Sequence, residues 1–502
     1  MKPARFWGVG KVGQEDLNVR NGASFGSERV PVLEEDAFRR RVLEECSKGA
    51  RLVNLFGCAQ DGGNTRIFAM LGMDQEGEIA VFSMTVPGGK ASFGSLTPEL
   101  AQAHMFEREI AEQFGVTPLG HPWLKPVRCH PAGGYPFYRV EGEEAHEVAV
   151  GPVHAGIIEP GHFRFQCHGE EILNLEIQLG YQHRGIEKMM EDVPAQRAVL
   201  LAESIAGDTV IGHGIAYCNI IESLSDTEAP PRAEAIRAIA LELERLSNHV
   251  GDLGSLSADI GFLPAAAYFG RLRGEFLNLL MDLSGNRYGR SLCRPGGVLF
   301  DLDREMAEDF RGRLSVARKD LKEISGLFFG RASVLARLEG TGAVSARAAK
   351  ELGLVGPTAR ACGHSLDVRT DYASGMFRFQ HIPISTALSG DVYARALVRW
   401  LESQRSIEFL LETLDQMPQG DIYAQPAALK AGHMALAMVE GWRGETLHVA
   451  TTDSNSRIAR YKVKDPSFNN WMALTMAVRG AQVSDFPLCN KSFNLSYAGH
   501  DL

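Results

Sequence analysis

Gly180-Tyr181-Gln182-His183-Arg184-Gly185-Ile186-Glu187-Lys188 sets an imidazole and a guanidinium side by side ahead of a glycine, then places a carboxylate just inside a helical pattern. Glycine lets the backbone turn into the helix, and Glu187 falls where the positive end of the helix dipole favours an acid. On its own the stretch describes a helix start with two basic groups held in front of it. Upstream, Gly151-Pro152-Val153-His154 and Glu159-Pro160-Gly161-His162-Phe163-Arg164-Phe165 gather two histidines, a carboxylate and an arginine around a Gly-Pro turn. Such a turn can hold titratable groups in a cleft between strands, although the same residues in an open loop would simply be solvated.

Outward from this centre the chain divides in two. Towards the N-terminus, the apolar runs Arg51-Leu52-Val53-Asn54-Leu55-Phe56, Arg66-Ile67-Phe68-Ala69-Met70-Leu71 and Ile79-Ala80-Val81-Phe82-Ser83-Met84 are separated by turn residues and predict strands. Residues 97–114 turn helical, and Gly115 with Pro118 ends that pattern. Residues 1–140 are therefore expected to form a small α/β domain. Pro and Gly residues followed by Glu141-Gly142-Glu143-Glu144 make 141–150 an expected linker. Residues 151–502 are expected to be mainly helical after a short β-sheet, an α+β chain overall. In the clearest helix, residues 231–249, Ile236, Ile239, Leu243, Leu246 and Val250 form a buried stripe, while Glu242, Arg245 and His249 share another face. Further helical patterns cover 304–338, 389–416 and 466–480.

With 502 residues, 45% hydrophobic and 23% charged, the chain has ordinary globular composition and length for a large core, which excludes disordered and low-complexity classes. A net charge of -10 supplies no field for phosphates, so nucleic acid is not an expected partner. No apolar run reaches the roughly 18 residues a membrane span needs; the most apolar segment, 198–221, is interrupted by Glu203, Asp208 and His213. The charged start lacks a secretion pattern, which makes a cytosolic face the expectation. None of the eight cysteines forms a CxxC pair, and the closest two, Cys46 and Cys58, are 12 apart, so no thiolate-held cluster is advertised.

The HRG-x-E-K stretch, with the Gly-Pro-x-His loop before it, resembles the quinone-site subunit of respiratory complex I and the large subunit of membrane-bound, energy-converting nickel–iron hydrogenases, which share a fold. The Glu159-Pro160-Gly161-His162-Phe163-Arg164-Phe165 wording is closer to the hydrogenases. Phe106-Glu107-Arg108-Glu109, Phe114-Gly115-Val116 and Gly120-His121-Pro122 resemble the neighbouring peripheral subunit of complex I. The chain is thus similar to a fusion of two subunits, as in formate hydrogenlyase-type enzymes. Other landmarks of the resemblance are Glu244-Arg245 with Asn248-His249, Asp259-Ile260-Gly261, Arg294-Pro295-Gly296-Gly297-Val298, Arg360-Ala361 with Asp367-Val368-Arg369, and Ser492-Phe493-Asn494.

The departures are equally specific. Nickel–iron hydrogenases hold their metals with two CxxC pairs, because soft thiolates bridge the two ions. Here the first frame reads Glu203-Ser204-Ile205-Ala206-Gly207-Asp208-Thr209 on to His213, with Ala206 and Thr209 at the ligand positions. The second reads Ser492-Phe493-Asn494-Leu495-Ser496-Tyr497-Ala498-Gly499-His500-Asp501, with Ser496 and Gly499 there. All four thiolates are replaced. Complex I carries a quinone-binding tyrosine one position after the first replaced ligand; here that position is Gly207.

The resemblance implies a peripheral-arm subunit of a membrane-bound, ion-translocating oxidoreductase related to NADH:quinone oxidoreductase. It would sit on the cytoplasmic face of the inner membrane, against a small iron–sulfur protein and above antiporter-like and heel subunits. No cofactor and no nickel are expected in this chain. Residues matching Arg184 and His249 lie beside the partner's terminal cluster in the family. A cation about 5 Å away at an effective dielectric of about 20 favours the reduced cluster by about 3 kcal/mol, roughly 140 mV, and His249 is also expected to titrate near neutral pH. His154, Glu159, His162, His183 and Asp259 are the candidates for proton coupling. The alternatives are a quinone reductase with an altered head-group site and a non-catalytic scaffold. Small residues at 206, 207 and 499 imply space retained at the emptied centre.

Overall fold

A computed structural model describes residues 17–142, 144–154 and 158–502; the charged start of the chain and residues 155–157 of the Gly-Pro loop lie outside the described residues. The N-terminal part contributes β1 (Leu17–Arg20), β2 (Ser24–Gly26), β3 (Val32–Leu33), β4 (Arg51–Ala59), β5 (Thr65–Met73) and β6 (Glu78–Val86). β1, β6, β5 and β4 lie side by side, antiparallel, and β3 runs parallel to β6 at the margin. One face of this sheet is packed with residues from helices Glu35–Lys48 and His104–Phe114.

Side chains alternate across a strand, and both faces of β5 are buried. Ile67, Ala69 and Leu71 join the core beneath the helices, whereas Phe68 and Met70 join a second cluster containing Met434, Leu436, Met438, Leu447 and Val449. Unbroken apolar strands are the mark of a sheet covered on both sides. The cover is β10 (His433–Gly441) and β11 (Gly444–Thr452), which, with β12 (Ile458–Lys464), follow β7 (Ala145–Val150), β8 (His162–His168) and β9 (Glu171–Gln178) in the chain. β2 pairs antiparallel with β10, so the C-terminal sheet, ordered β12-β11-β10-β2, takes its edge strand from the N-terminal part.

The N-terminal part shares a core and a sheet with the rest, so core contacts cross the boundary in number. The expected linker is partly structured: its Val148 and Val150 pack on the main core, and β7 extends a sheet of order β9-β8-β7.

The main core surrounds the helix Pro231–Asp259, which begins with proline in its first turn and runs well past residue 249. Helices Leu263–Ser284, Arg304–Phe329 and Val392–Asp415 pack around it, and Gly330 separates Arg304–Phe329 from Ala332–Leu338. The chain is a mixed helix-and-strand protein, as expected. Among the described residues no helix is long and apolar enough to cross a membrane.

The two motifs that flagged the separate parts meet at one buried cation. Lys462 Nζ on β12 donates to Glu109 Oε1 at 2.7 Å and to Glu187 Oε1 at 2.9 Å. Glu109 also pairs with Arg128, and Glu187 with Arg460 at 3.0 Å. Burial works against both carboxylate charges, and Lys462 with the neighbouring arginines overcomes it, lowering both pKa values.

Candidate functional site

The first emptied frame leaves the helix Ala195–Ala202, passes Ala206 and Gly207, and enters the helix Val210–Leu224; the second precedes and opens the short helix Tyr497–Asp501. Between them comes the tip of the β10–β11 hairpin, Gly441-Trp442-Arg443-Gly444. Gly444 has φ +130°, and a Cβ there would stand 2.7 Å from Gly356 Cα, so the close approach requires glycine. The Arg443 guanidinium donates to both Asp208 oxygens at 2.6 and 2.7 Å, to Thr209 Oγ1 at 3.3 Å and to the Asn494 carbonyl at 2.5 Å. It therefore bridges the two frames. Burial opposes its charge, yet Asp208, Asp465 and Glu159 around it raise its pKa.

Two further carboxylates complete the arrangement. Glu159 Oε2 accepts from the Tyr497 and Ala498 amides at 3.0 and 3.3 Å; burial raises its pKa, with the Ala498 amide and Arg443 opposing. Asp465 accepts from Ser467 N at 2.8 Å and faces His213 Nε2 at 3.1 Å. Its carboxylate lies so close under Gly499 that a Cβ there would stand 2.6 Å from Cγ and 2.7 Å from Oδ2.

A nickel–iron centre does not fit these residues. Ala206 and Gly499 offer no side-chain donor atom, Ser496 Oγ accepts from the Gly499 amide at 2.8 Å, and Thr209 Oγ1 faces a guanidinium that would repel a metal cation. Among the described residues no cluster of His, Cys, Asp and Glu is placed to hold a metal. Of the small residues, Gly207 lies exposed at the surface and Gly499 is buried. A Cβ on Gly207 would meet nothing within 4 Å, whereas Asp465 fills the position beside Gly499.

Arg184 stands at the mouth of this centre. Its guanidinium donates to the Ser204 and Ile205 carbonyls at 2.8 and 3.1 Å, and burial lowers its pKa while Glu159 and Asp501 oppose. His183 Nδ1 lies 2.8 Å from the Asp501 carbonyl. His154 Nε2 and His162 Nδ1 face the Gly161 and Gly151 carbonyls at 2.8 and 3.2 Å, closing the Gly-Pro loop on itself. Burial lowers the pKa of His162. Asp259 pairs with Lys491 at 2.6 Å. Of the expected proton-coupling residues, only Glu159 reaches the Arg443 cluster.

His249 is differently placed. It is fully buried, its Nε2 2.8 Å from Glu402 Oε2, with its ring against Trp442. Burial brings its pKa down to about 4 against the Glu402 hydrogen bond, so it is neutral at pH 7 and does not titrate near neutrality as expected from its residue type.

Arg443 and Asp465 were not among the expected site residues. A glycine-flanked Arg at a hairpin tip, and an Asp before Pro466 at a helix start, were the available signals; what hid them was sequence distance, 235 residues from Arg443 to Asp208.

Known proteins resemble both parts of the chain. The C-terminal part matches the family described as respiratory-chain NADH dehydrogenase, 49 Kd subunit, over residues 259–433 and 427–501, and the N-terminal part matches the 30 Kd subunit family over 41–138. The carbon monoxide-induced hydrogenase of Rhodospirillum rubrum is 32% identical over 69% of this chain and 96% of its own length. Formate hydrogenlyase subunit 5 of Escherichia coli is 27% identical over 90% of this chain and 85% of its own, so that match runs through both parts. A chain of the membrane-bound sulfane sulfur reductase, an archaeal respiratory membrane complex, is 25% identical and superposes with a TM-score of 0.68 over 73% of this chain and all of that one. The two matches thus define a 49 Kd-type domain fused to a 30 Kd-type domain, both similar to subunits of oxidoreductase complexes. The chain belongs to the family of complex I 49 Kd-type and energy-converting hydrogenase subunits, joined to a 30 Kd-type domain.

Proposed function

We propose that this chain is the peripheral-arm subunit of a membrane-bound, ion-translocating oxidoreductase complex in which electrons reach an iron–sulfur cluster held by a partner, with no nickel–iron centre of its own. Residues 1–140 and 151–502 would be the two fused subunits, with the join in 141–150. The observation that carries this reading is the exchange of four thiolates for Arg443 and its carboxylates in a fold that keeps Arg184 at the mouth. Arg184 would favour the reduced partner cluster by charge, while Glu159 would take up the accompanying proton. His154, His162 and His183 would shape the mouth through the carbonyls they hold, and Asp259 would act through Lys491. Small iron–sulfur, antiporter-like and heel subunits are the partners this assigns, with the chain on the cytoplasmic face.

The deciding experiment is purification of the intact complex, with identification of its co-subunits and metals. Iron without nickel, together with membrane subunits, is the expected result. About one nickel per chain, or hydrogen-dependent dye reduction, would overturn it. The open space at Gly207 favours a second reading, a quinone in that position; a quinone analogue that competes kinetically would support it.

A further inference from the structure

Behind the Arg443 cluster four buried side chains form an unbroken file. His213 Nε2 lies 3.1 Å from Asp465 Oδ2, His213 Nδ1 lies 3.0 Å from His448 Nε2, and His448 Nδ1 lies 2.8 Å from the Tyr461 hydroxyl. They come from four elements: the loop before Pro466, the helix Val210–Leu224, β11 and β12. Asp465 has its place because residue 499 is glycine. We propose that Asp465 and His213 form a buried proton store beside the emptied centre, and that His448 and Tyr461 are the relay that loads it. The inference rests on the proton coupling proposed above and assigns it to residues outside the mouth.

The chemistry follows from donor counting. A carboxylate only accepts, so His213 Nε2 carries hydrogen and Nδ1 accepts. His448 must then donate from Nε2 and accept at Nδ1, which leaves the Tyr461 O–H as donor to Nδ1. All three hydrogen bonds point towards Asp465. When a proton is delivered to the Tyr461 oxygen, which lies inside the core, the Tyr461 O–H proton passes to His448 Nδ1 and the His448 Nε2 proton passes to His213 Nδ1. Tyr461 keeps the incoming proton as its new hydroxyl. One proton has entered, His213 has become an imidazolium paired with Asp465, and the file has gone from one negative charge to none.

The surroundings favour this distribution. His448 faces His213, Asp465 and Glu187, and burial holds its pKa well below the usual range, so it passes a proton on and does not keep it. Asp465 faces His213 and Arg443, and these with the Ser467 amide keep its carboxyl ionised against burial. Tyr461 faces Tyr217 and Cys218, and burial raises its pKa, so it remains a hydroxyl before and after loading. Glu244 accepts from the Ile211 and Gly212 amides below His213. Among the contacts of the described residues, His213 is the basic group of the file with a carboxylate directly opposite.

Histidine-selective nitrogen-15 NMR on the full-length chain tests this without any electron donor. As pH is lowered, His213 should become doubly protonated while the His448 proton moves from Nε2 to Nδ1 in the same step. In Tyr461→Phe the Nδ1–H of His448 loses its acceptor, so the tautomer change should vanish. His448→Gln, which bonds but does not relay, should slow proton exchange at His213; unchanged circular dichroism would confirm that both variants fold. A His448 tautomer that stays fixed while His213 titrates, or a His213 that never gains a second proton, would overturn the store. Failure of electron transfer in the assembled complex would instead count against the proposed function and leave these signals unchanged.

Discussion

Beside His249, the guanidinium groups of Arg245, Arg360 and Arg369 interlock with Glu242, Asp367, Glu402 and Glu440; beyond Trp442, Arg443 faces Asp208, Asp465 and Glu159. Both groups are rich in ion pairs, and they differ in access. In the first, Arg360 reaches Glu402 at 2.7 Å and Glu440 at 2.8 Å, and every member is closed off from solvent. In the second, Arg443 faces three carboxylates, with His213 on Asp465 and Arg184 near Glu159, and Asp208 is one-third exposed. The first cluster also holds more carboxylates than arginines, four to three, and burial raises Glu440 to about 7, so what separates the two is access to solvent. Solvent access makes the emptied centre the better candidate for the proposed proton uptake.

The largest expected effect tests whether the N-terminal part stands apart from both clusters. A chain starting at Val148 loses β2 from the edge of β10 and uncovers Met434, Leu436, Met438, Leu447 and Val449. It also loses Arg51, which binds Glu445 at 2.7 Å. Such a chain should be insoluble when expressed alone, and soluble when residues 1–147 are co-expressed. A soluble, cooperatively folding fragment would show the shared core to be dispensable.

Next comes the contrast itself. Arg360→Met would leave Glu402 and Glu440 buried without their main partner, which costs about 3–5 kcal/mol in comparable buried pairs. Arg443→Met should cost clearly less, because Asp208 can turn to water. Denaturant unfolding of the two variants measures this, and equal losses would mean that the second cluster is as closed as the first.

How much of this was legible beforehand depends on the range of the interactions. The strand runs at 51–56, 66–71 and 79–84 fall within β4, β5 and β6, the helices at 231, 304 and 466 begin where the patterns begin, and the one expected from 389 begins at Val392, because alternation and helical stripes are local. The apolar continuity of β5 already implied cover on both faces, but not what supplied it. β10, β11 and β12 are buried on both faces in the same way and carry Glu440, Glu445, Lys462 and Lys464, so their charges disguised them until their partners were known. The replaced thiolates were legible from frame alone. Their substitutes, Arg443 and Asp465, were not, since a salt bridge spanning hundreds of residues leaves no periodicity.

A smaller effect separates the clusters by pH. Glu244, under Asp208, has its carboxyl raised to about 8 by burial, against the Ile211 and Gly212 amides. Between about 4.5 and 8 the native protein then holds a proton that the unfolded chain does not, so this residue's contribution is full at low pH and is lost as pH rises through that window. His249 has the opposite sign: its pKa of about 4 lies below the ordinary 6.5, so its contribution is present above that value and is lost as pH falls towards 4. Glu244→Gln should remove a slope of up to roughly 1.4 kcal/mol per pH unit between about 4.5 and 8. Unfolding curves of both proteins from pH 5 to 8.5 would show it, and parallel pH profiles would contradict the assignment.

The smallest effect bears on whether the mouth senses electrons. Arg184 is a fixed charge at the open cluster, whereas His249 is neutral at pH 7 inside the closed one. If a partner's cluster docks near the mouth, removing the charge in Arg184→Ala should lower its midpoint potential by up to roughly 140 mV, and by less to the extent that solvent screens a half-exposed side chain. His249→Ala removes no charge and should leave the potential within about 20 mV, with its pH dependence intact, because a group that titrates near 4 contributes no slope around neutrality. A redox titration of the assembled complex distinguishes the two. Equal shifts would mean that reduction charges His249 despite its burial, and the division between a closed and an open cluster would no longer hold. If neither variant moved the potential, both residues would lie away from the electron path, and the scaffold reading would become the better one.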